Sequence, residues 1–72
     1  ALNAFDFAVS LIEEGQRQGK VRERPSRGQA TACWAQIHGL TMLELNGLLQ
    51  PEKVGDNAIE LALTALLEGL QA

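Results

Sequence analysis

The sequence has few aromatic residues. Its 72 residues contain no Tyr, two Phe and one Trp, while Ala and Leu dominate a composition that is 46% hydrophobic. Aromatic and β-branched residues favour strands, whereas Ala and Leu favour helices. We therefore expect an all-α fold rather than a sheet.

Cysteine is almost absent. The one cysteine, Cys33, has no partner for an internal disulfide, and at an apolar helical position it is expected to be a small core side chain. The first turns contain Asn3 and Asp6 and lack the basic leader of a signal peptide. These features predict an intracellular, cytoplasmic protein.

A long uninterrupted apolar run is also missing. Gln36, His38, Glu44 and Asn46 interrupt the longest one, whereas a membrane span needs about 20 apolar residues. The formal net charge of -3 gives no general attraction to nucleic acid or to an anionic membrane. We therefore expect no membrane partner.

One short stretch nevertheless concentrates the basic residues. Five of the six are Arg17, Lys20, Arg22, Arg24 and Arg27. Glu23 lies among them, and no aromatic residue alternates with them to stack on bases. Because cations just after a helix C-terminus also interact favourably with the helix dipole, a solvated loop is preferred over a nucleic-acid site.

Hydrophobic periodicity predicts three helices. The first covers about Asn3 to Gln18. Its apolar positions are Leu2, Phe5, Ala8, Val9 and Ile12. Gly19 is expected to end this helix in a left-handed conformation, with Val21 folding back onto the last turn. Glu13 and Arg17 have the spacing of a surface ion pair.

The second predicted helix begins near Arg27, where Ser26 and Gln29 have capping-box spacing. It is expected to end at Asn46 or Leu49. The segment is apolar on nearly every side, so it needs neighbours on all of them. A chain of 72 residues offers few such neighbours. This helix therefore indicates association with a partner subunit.

The third predicted helix is capped by Asp56 or Asn57 and continues to Leu70, with Asn57 and Glu60 again in capping-box spacing. Its polar stripe consists of Glu60, Thr64 and Glu68. The remaining apolar arc covers about two-thirds of the circumference. One contact surface needs only about 100°, so this helix is expected to contact both its own domain and a symmetry mate.

One side of the second helix combines an aromatic ring, a titratable ring, a thioether and hydroxyl groups. Its residues are Thr31, Trp34, His38, Thr41, Met42 and Leu45. This mixture suits a mostly apolar small-molecule pocket with a few polar anchors, and Thr31, Trp34, His38, Met42 and Leu45 are the ligand-binding candidates. In the alternative interpretation, Trp34 and Met42 fill a core and His38 donates to a buried carbonyl or a neighbouring side chain.

Another side of the second helix carries small residues, namely Ala32, Ala35 and Gly39. Small residues let two helices approach closely. Gly39 in a helix interior costs about 1 kcal/mol relative to Ala, so close packing is expected there. This close packing would come either from a crossing of two helices within the chain or from a dimer contact. The expected dimer residues are Ala35, Gly39, Leu43, Ile59, Leu63, Leu66 and Leu70.

Residues for catalysis or metal binding do not form a recognisable pattern. His38 has no Cys, Asp or second His at metal-ligand spacing. Ser10, Ser26 and Cys33 lack the base and third group that orient a nucleophile. We expect neither an enzyme nor a metal or cofactor protein.

The segment Trp34-Ala35-Gln36-Ile37-His38-Gly39-Leu40 carries a family resemblance. Together with Leu43-Glu44-Leu45, Gly47, Pro51-Glu52 and the final stretch 65–70, it resembles the end of a TetR-type bacterial transcriptional regulator, in the subgroup with a C-terminal Trp-x-x-x-His-Gly signature. The stretch 5–19 is similar to the helix that precedes this signature.

This resemblance implies a homodimeric repressor whose last two helices pair with those of a symmetry mate as a four-helix bundle. It also implies a small apolar or amphipathic inducer that shifts the dimer away from its DNA-competent arrangement. Operator DNA would be bound by an N-terminal helix-turn-helix domain that is not in this chain. Residues 1–72 are then one α-helical segment of the C-terminal region. The alternative is a small helical homodimeric interaction module without a ligand.

Overall fold

The computed structural model describes residues 3–72, so the predicted apolar position Leu2 lies outside the described residues. The helices are α1 (Ala4–Arg17), α2 (Ser26–Leu45), α3 (Pro51–Val54) and α4 (Ala58–Leu70). Within residues 3–72 no strand forms, and the β-type pairing there is an isolated antiparallel bridge between Val21 and Gln71. The all-α prediction is confirmed. The predicted count of three omits α3, a single turn that begins at Pro51.

Helix α1 begins and ends through local contacts. Asn3 is its N-cap, with the side-chain oxygen accepting from the Asp6 backbone N–H at 2.8 Å. The periodicity predicts a helix from about Asn3, whereas the structure has Asn3 as the cap and Ala4 as the first helical residue. At the other end, Gly19 adopts φ +73° and Val21 packs against the core, as predicted.

Two predicted polar contacts of α1 and α2 are wrong. Arg17 pairs with Glu14 at 2.9 Å instead of with Glu13. The Ser26 hydroxyl donates to the Glu13 carboxylate at 2.9 Å, and α2 has no side-chain N-cap bond. The capping box between Ser26 and Gln29 is therefore absent, because tertiary contacts between α1 and α2 engage both side chains.

The C-terminus of α4 is hydrogen-bonded to the loop between α1 and α2. The Arg22 backbone N–H donates to the Leu70 carbonyl at 2.7 Å, and the Ala72 N–H donates to the Lys20 carbonyl at 3.3 Å. The Arg22 guanidinium also donates to the Gln71 carbonyl at 3.1 Å. These bonds hold the end of α4 beside the start of α2, so the two helices are antiparallel.

The middle of α4 packs on the middle of α2. There the Gln36 side chain donates to the Ala62 carbonyl at 3.0 Å. Between these helices the chain turns at Gly47, with φ +68°, close to the predicted end of the second helix. Asn57 precedes α4 but makes no side-chain cap bond, so the predicted capping box with Glu60 is also wrong.

The buried core is small. Its buried apolar residues are Val9 and Ile12 of α1 and Ala30 of α2. Partly buried side chains around it are Phe5, Ala8, Val21, Cys33 and Leu70. The Cα atoms extend only 13 Å in the thinnest direction, which leaves little interior volume. Thirteen large apolar side chains of the described residues are consequently exposed.

None of the helices within residues 3–72 combines the length and hydropathy that crossing a bilayer requires.

Candidate functional site

A cleft between α2 and α4 is filled by α1 at one end and open at the other. At the filled end, Ala30 and Cys33 of α2 and Leu70 of α4 pack with residues of α1. The open end, hereafter the open groove, has a volume of about 410 Å³. It is lined by Ile37, Leu40, Thr41, Glu44, Leu45, Ile59 and Leu63.

The same side of each helix lines both ends of the cleft. On α2 this side is formed, at three and four residue steps, by Ser26, Ala30, Cys33, Ile37, Leu40 and Glu44. On α4 it is formed by Ile59, Leu63, Leu66 and Leu70. Helix α1 covers only the first half of α2. The largely apolar side of α2 is therefore buried near the N-terminus of the helix and open near its C-terminus.

The open groove is chemically simple. Five of its lining side chains are apolar, and the Thr41 hydroxyl already donates to the Ile37 carbonyl at 2.8 Å. Glu44 supplies the charge and also lines a neighbouring hollow of about 530 Å³ together with Asp56 and Glu60. The groove can therefore bury apolar groups, and its rim is acidic.

The predicted ligand-binding residues lie along one exposed side of α2. Trp34 is 62% exposed and Met42 is 46% exposed, so neither fills a core within this chain. The Trp34 ring lies 5.8 Å from the Phe5 ring, centroid to centroid, and the Thr31 hydroxyl donates to the Arg27 carbonyl at 2.8 Å. The stripe is thus an exposed side of α2 that contacts α1 at Trp34.

Only Leu45 of that predicted set reaches the open groove. It is 75% exposed and lies at the end of α2. His38 is exposed on the solvent side of the helix. The structure therefore does not bring the five ligand-binding candidates together around one cavity.

The seven predicted dimer residues also fall on different surfaces. Ile59 and Leu63 line the open groove, at 40% and 37% exposure. Leu66 and Leu70 are half-buried within the chain. The remaining three are Ala35, Gly39 and Leu43. At about 100° per residue, Ala35 and Gly39 lie opposite the groove-lining side of α2.

Gly39, on the side of α2 with small residues, is not closely packed against the described part of the chain. A methyl group added at Gly39 would meet no atom within 4 Å. The close approach predicted at Gly39 is therefore not made by α4. Farther along this side, Ala32 lines a shallow hollow of about 230 Å³ with Ala65 and Gly69 of α4.

Sequence reasoning missed an apolar pair on the outer side of α1. Phe7 and Leu11 are 55% and 57% exposed and lie one helical turn apart. At about 100° per residue, they lie on the side of α1 roughly opposite the buried Val9. Two large apolar side chains at i and i+4 on the solvent side were the available signal.

Charge is unevenly distributed along the molecule. Within residues 3–72 the ion pairs are Arg17 with Glu14 and Arg27 with Asp6. The loop cations Lys20, Arg22 and Arg24 form no ion pair in that range. The opposite end of the molecule carries Glu44, Glu52, Asp56 and Glu60 with one cation, Lys53.

No group of three or more His, Cys, Asp or Glu side chains that could hold a metal ion occurs in the described part of the chain. Cys33, the free thiol, is half-buried against the core. The described residues leave many large apolar side chains exposed.

Comparisons with protein families, curated proteins and solved structures find no match for this chain. The resemblance to TetR-type regulators therefore rests on the sequence segments alone.

Proposed function

We propose that this chain is the dimerisation and inducer-sensing part of a TetR-like bacterial transcriptional repressor. The sequence resemblance supplies the family, and the exposed apolar surface supports the association. Operator DNA would be contacted by a helix-turn-helix domain outside these residues. The inducer would act by preferring one arrangement of the dimer over another.

The observation that carries this proposal is the accessible surface area. The chain exposes 5325 Å² at a mass of 7.8 kDa. A compact monomer of that mass exposes about 4,400 Å². The excess, roughly 900 Å², is close to the area of about 800 Å² that each partner buries in a standard protein interface.

The exposed apolar side chains support association more strongly than area alone. They occur on all three of the longer helices, with Leu11 on α1, Ile37 on α2 and Leu67 on α4 at 57%, 55% and 61% exposure. Monomeric proteins rarely expose large contiguous apolar patches. We place the dimer contact on the open groove, with Ile59 and Leu63 retained from the predicted interface.

The inducer-sensing part of the proposal concerns the exposed stripe around Trp34. Its aromatic pair with Phe5, the thioether of Met42 and the ring of His38 form a wall that suits an apolar or amphipathic molecule. A second wall would have to come from a partner subunit. Ligand binding and dimerisation would then be coupled.

The alternative is a helical homodimeric interaction module without a ligand. One observation favours it: the ligand-binding candidates line no common cavity in this chain, and the Thr31 hydroxyl is engaged with the backbone of its own helix. Under this alternative the exposed stripe is simply part of a protein contact.

A repression assay separates these functions. The chain is fused behind a DNA-binding domain that represses a reporter only as a dimer. We expect repression, and relief of repression by at least one compound in a panel of small apolar and amphipathic molecules. Repression without relief by any compound supports the interaction module. Absence of repression by a folded fusion contradicts both functions.

Leu63→Glu provides the matched negative control, because it places a charge in the open groove at a side chain that is 37% exposed within the chain. We expect the fusion carrying it to remain folded and to lose repression.

A further inference from the structure

We propose that association of the chain is opposed by its own charge, so that dissolved salt strengthens the dimer. An interface held by ion pairs behaves in the opposite way, because salt screens the attraction between unlike charges. This inference rests on the proposed function, specifically on the dimer contact at the open groove, and adds how that contact is regulated.

The net charge of the chain lies at one end of the molecule. This acidic end comprises the last turn of α2, α3 and the start of α4, and its charged residues are Glu44, Glu52, Asp56, Glu60 and Lys53. Four acidic residues and one cation give it the formal net charge of the whole chain, -3. The remaining five acidic and five basic residues of the chain balance each other.

The cations of the loop between α1 and α2 lie far from the acidic end. The Arg22 backbone is hydrogen-bonded to Leu70, at the last residue of α4, whereas the acidic end contains its first turn. A helix of 13 residues spans about 18 Å from its first to its last Cα atom. Among residues 3–72 the ion pairs formed are those of Glu14 and Asp6, so the acidic end is not neutralised by an ion pair there.

Acidic side chains border the surface on which we place the dimer contact. Glu44 lines the open groove itself. Asp56 and Glu60 line the neighbouring hollow. The groove and this hollow share Ile59 and Leu63 in their linings. An apolar contact made through these two side chains therefore has an acidic border.

Symmetry brings the acidic borders of two copies together. A homodimer with a two-fold axis uses the same surface of both copies. The open groove lies between α2 and α4, so a contact of groove with groove joins these helices of each copy, as in the four-helix bundle that the resemblance implies. Residues bordering the contact then lie near their counterparts, whichever way the helices of the two copies run. Juxtaposed like charges disfavour association.

Dissolved ions screen this repulsion. The screening length falls from about 30 Å at 0.01 M salt to about 8 Å at 0.15 M. Burial of Ile59 and Leu63 does not depend on screening, so the attraction between the copies persists while the repulsion declines. We expect the dimer of the native chain to be about fivefold tighter at the higher of these salt concentrations.

Equilibrium sedimentation of the native chain at these two concentrations of NaCl tests the inference without any substitution. The expected result is a smaller dissociation constant at the higher concentration. A dissociation constant that stays the same or rises with salt would overturn the inference and leave the proposed function standing. A chain that is monomeric at both concentrations of salt would overturn the inference together with the proposed dimer.

Two double variants of equal net charge test where the repulsion acts. Asp56→Asn with Glu60→Gln removes two charges from the acidic end, and Glu14→Gln with Glu23→Gln removes two charges elsewhere. We expect the first variant to lose most of the salt dependence and to associate more tightly than the native chain at the lower salt concentration. The second should keep the native salt dependence.

Equal responses of the two double variants would overturn the inference, because the position of the charges would then have no effect. Circular dichroism verifies that each variant is folded. If a variant unfolds, the salt series of the native chain still decides.

Discussion

The side-chain amide of Gln16 donates to the side-chain carbonyl of Gln29 at 2.7 Å, which joins α1 to the first turn of α2. Gln16 also donates to the carbonyls of Arg22 and Arg24, at 3.2 and 2.8 Å. Gln29 in turn donates to the Arg22 carbonyl at 3.0 Å. The side-chain amides of Gln16 and Gln29 thus bind backbone carbonyls of the charged loop that would otherwise be hydrogen-bonded to water.

Gln29→Leu tests this network. Gln29 is only 8% exposed, and its loss leaves Gln16 without one acceptor and Arg22 without one donor. We expect the free energy of unfolding to fall by about 1–3 kcal/mol, as measured by urea denaturation. The control is Gln18→Leu, at an exposed glutamine. Equal stability of the two variants would contradict a structural role for the network.

Gly15→Ala tests the approach of the loop to α1. A methyl group at Gly15 would overlap the Val21 side chain, whose Cβ lies 3.2 Å from the added carbon. Valine is stiff, so either the loop or the helix must shift. We expect a loss of about 1–3 kcal/mol in the free energy of unfolding despite the higher helix propensity of alanine. A thermal unfolding transition at or above that of the native chain would contradict the contact.

For Gly39→Ala we expect the opposite effect on stability. Nothing lies within 4 Å of the added methyl group, and α2 continues on both sides of it. We expect the chain to gain up to about 1 kcal/mol in stability, with the dimer unaffected. A weakened dimer in equilibrium sedimentation would instead show that a second helix approaches Gly39 closely.

Leu63→Glu and Leu66→Glu separate association from folding. Leu63 lines the open groove, whereas Leu66 is half-buried within the chain. We expect Leu63→Glu to elute as a folded monomer in size-exclusion chromatography and to keep its helical circular dichroism. Leu66→Glu should lose helical signal as well. Loss of structure in both variants would mean that α4 cannot tolerate a charge on this side at all.

Trp34 reports directly on ligand binding, because it is the one tryptophan and is 62% exposed. We expect at least one apolar or amphipathic compound to change its emission in a saturable way. Met42→Ala should weaken that binding by about tenfold, equivalent to about 1.4 kcal/mol. The control is Leu48→Ala, at an exposed leucine beyond α2. Unchanged emission across the panel would favour the interaction module.

The sequence was sufficient to predict local structure where one residue dictates the backbone. Gly19 and Gly47 adopt positive φ and follow the ends of α1 and α2 as expected. Val21 returns to the core because the left-handed turn at Gly19 directs the chain there. The apolar periods of α1 and α4 also identified these helices, although not their exact ends.

Contacts between different helices explain the features that were predicted wrongly from the sequence. Ser26 has the spacing of a cap, but the nearby carboxylate of Glu13 accepts its hydroxyl hydrogen. In the sequence Gln36 interrupts the apolar run, and in the structure its side chain donates to the backbone of α4. The periodicity of each helix predicts interface residues on α2 and on α4 separately. Which sides of the two helices face each other depends on how α1 occupies the cleft, and periodicity within one helix does not contain that information.

Sedimentation of the native chain across a wide range of dilution determines whether the exposed apolar surface is covered by a second copy. The exposed apolar surface predicts a species of twice 7.8 kDa that dissociates only on dilution. A well-folded monomer at every concentration would contradict the account, since the roughly 900 Å² of excess surface would then need no partner.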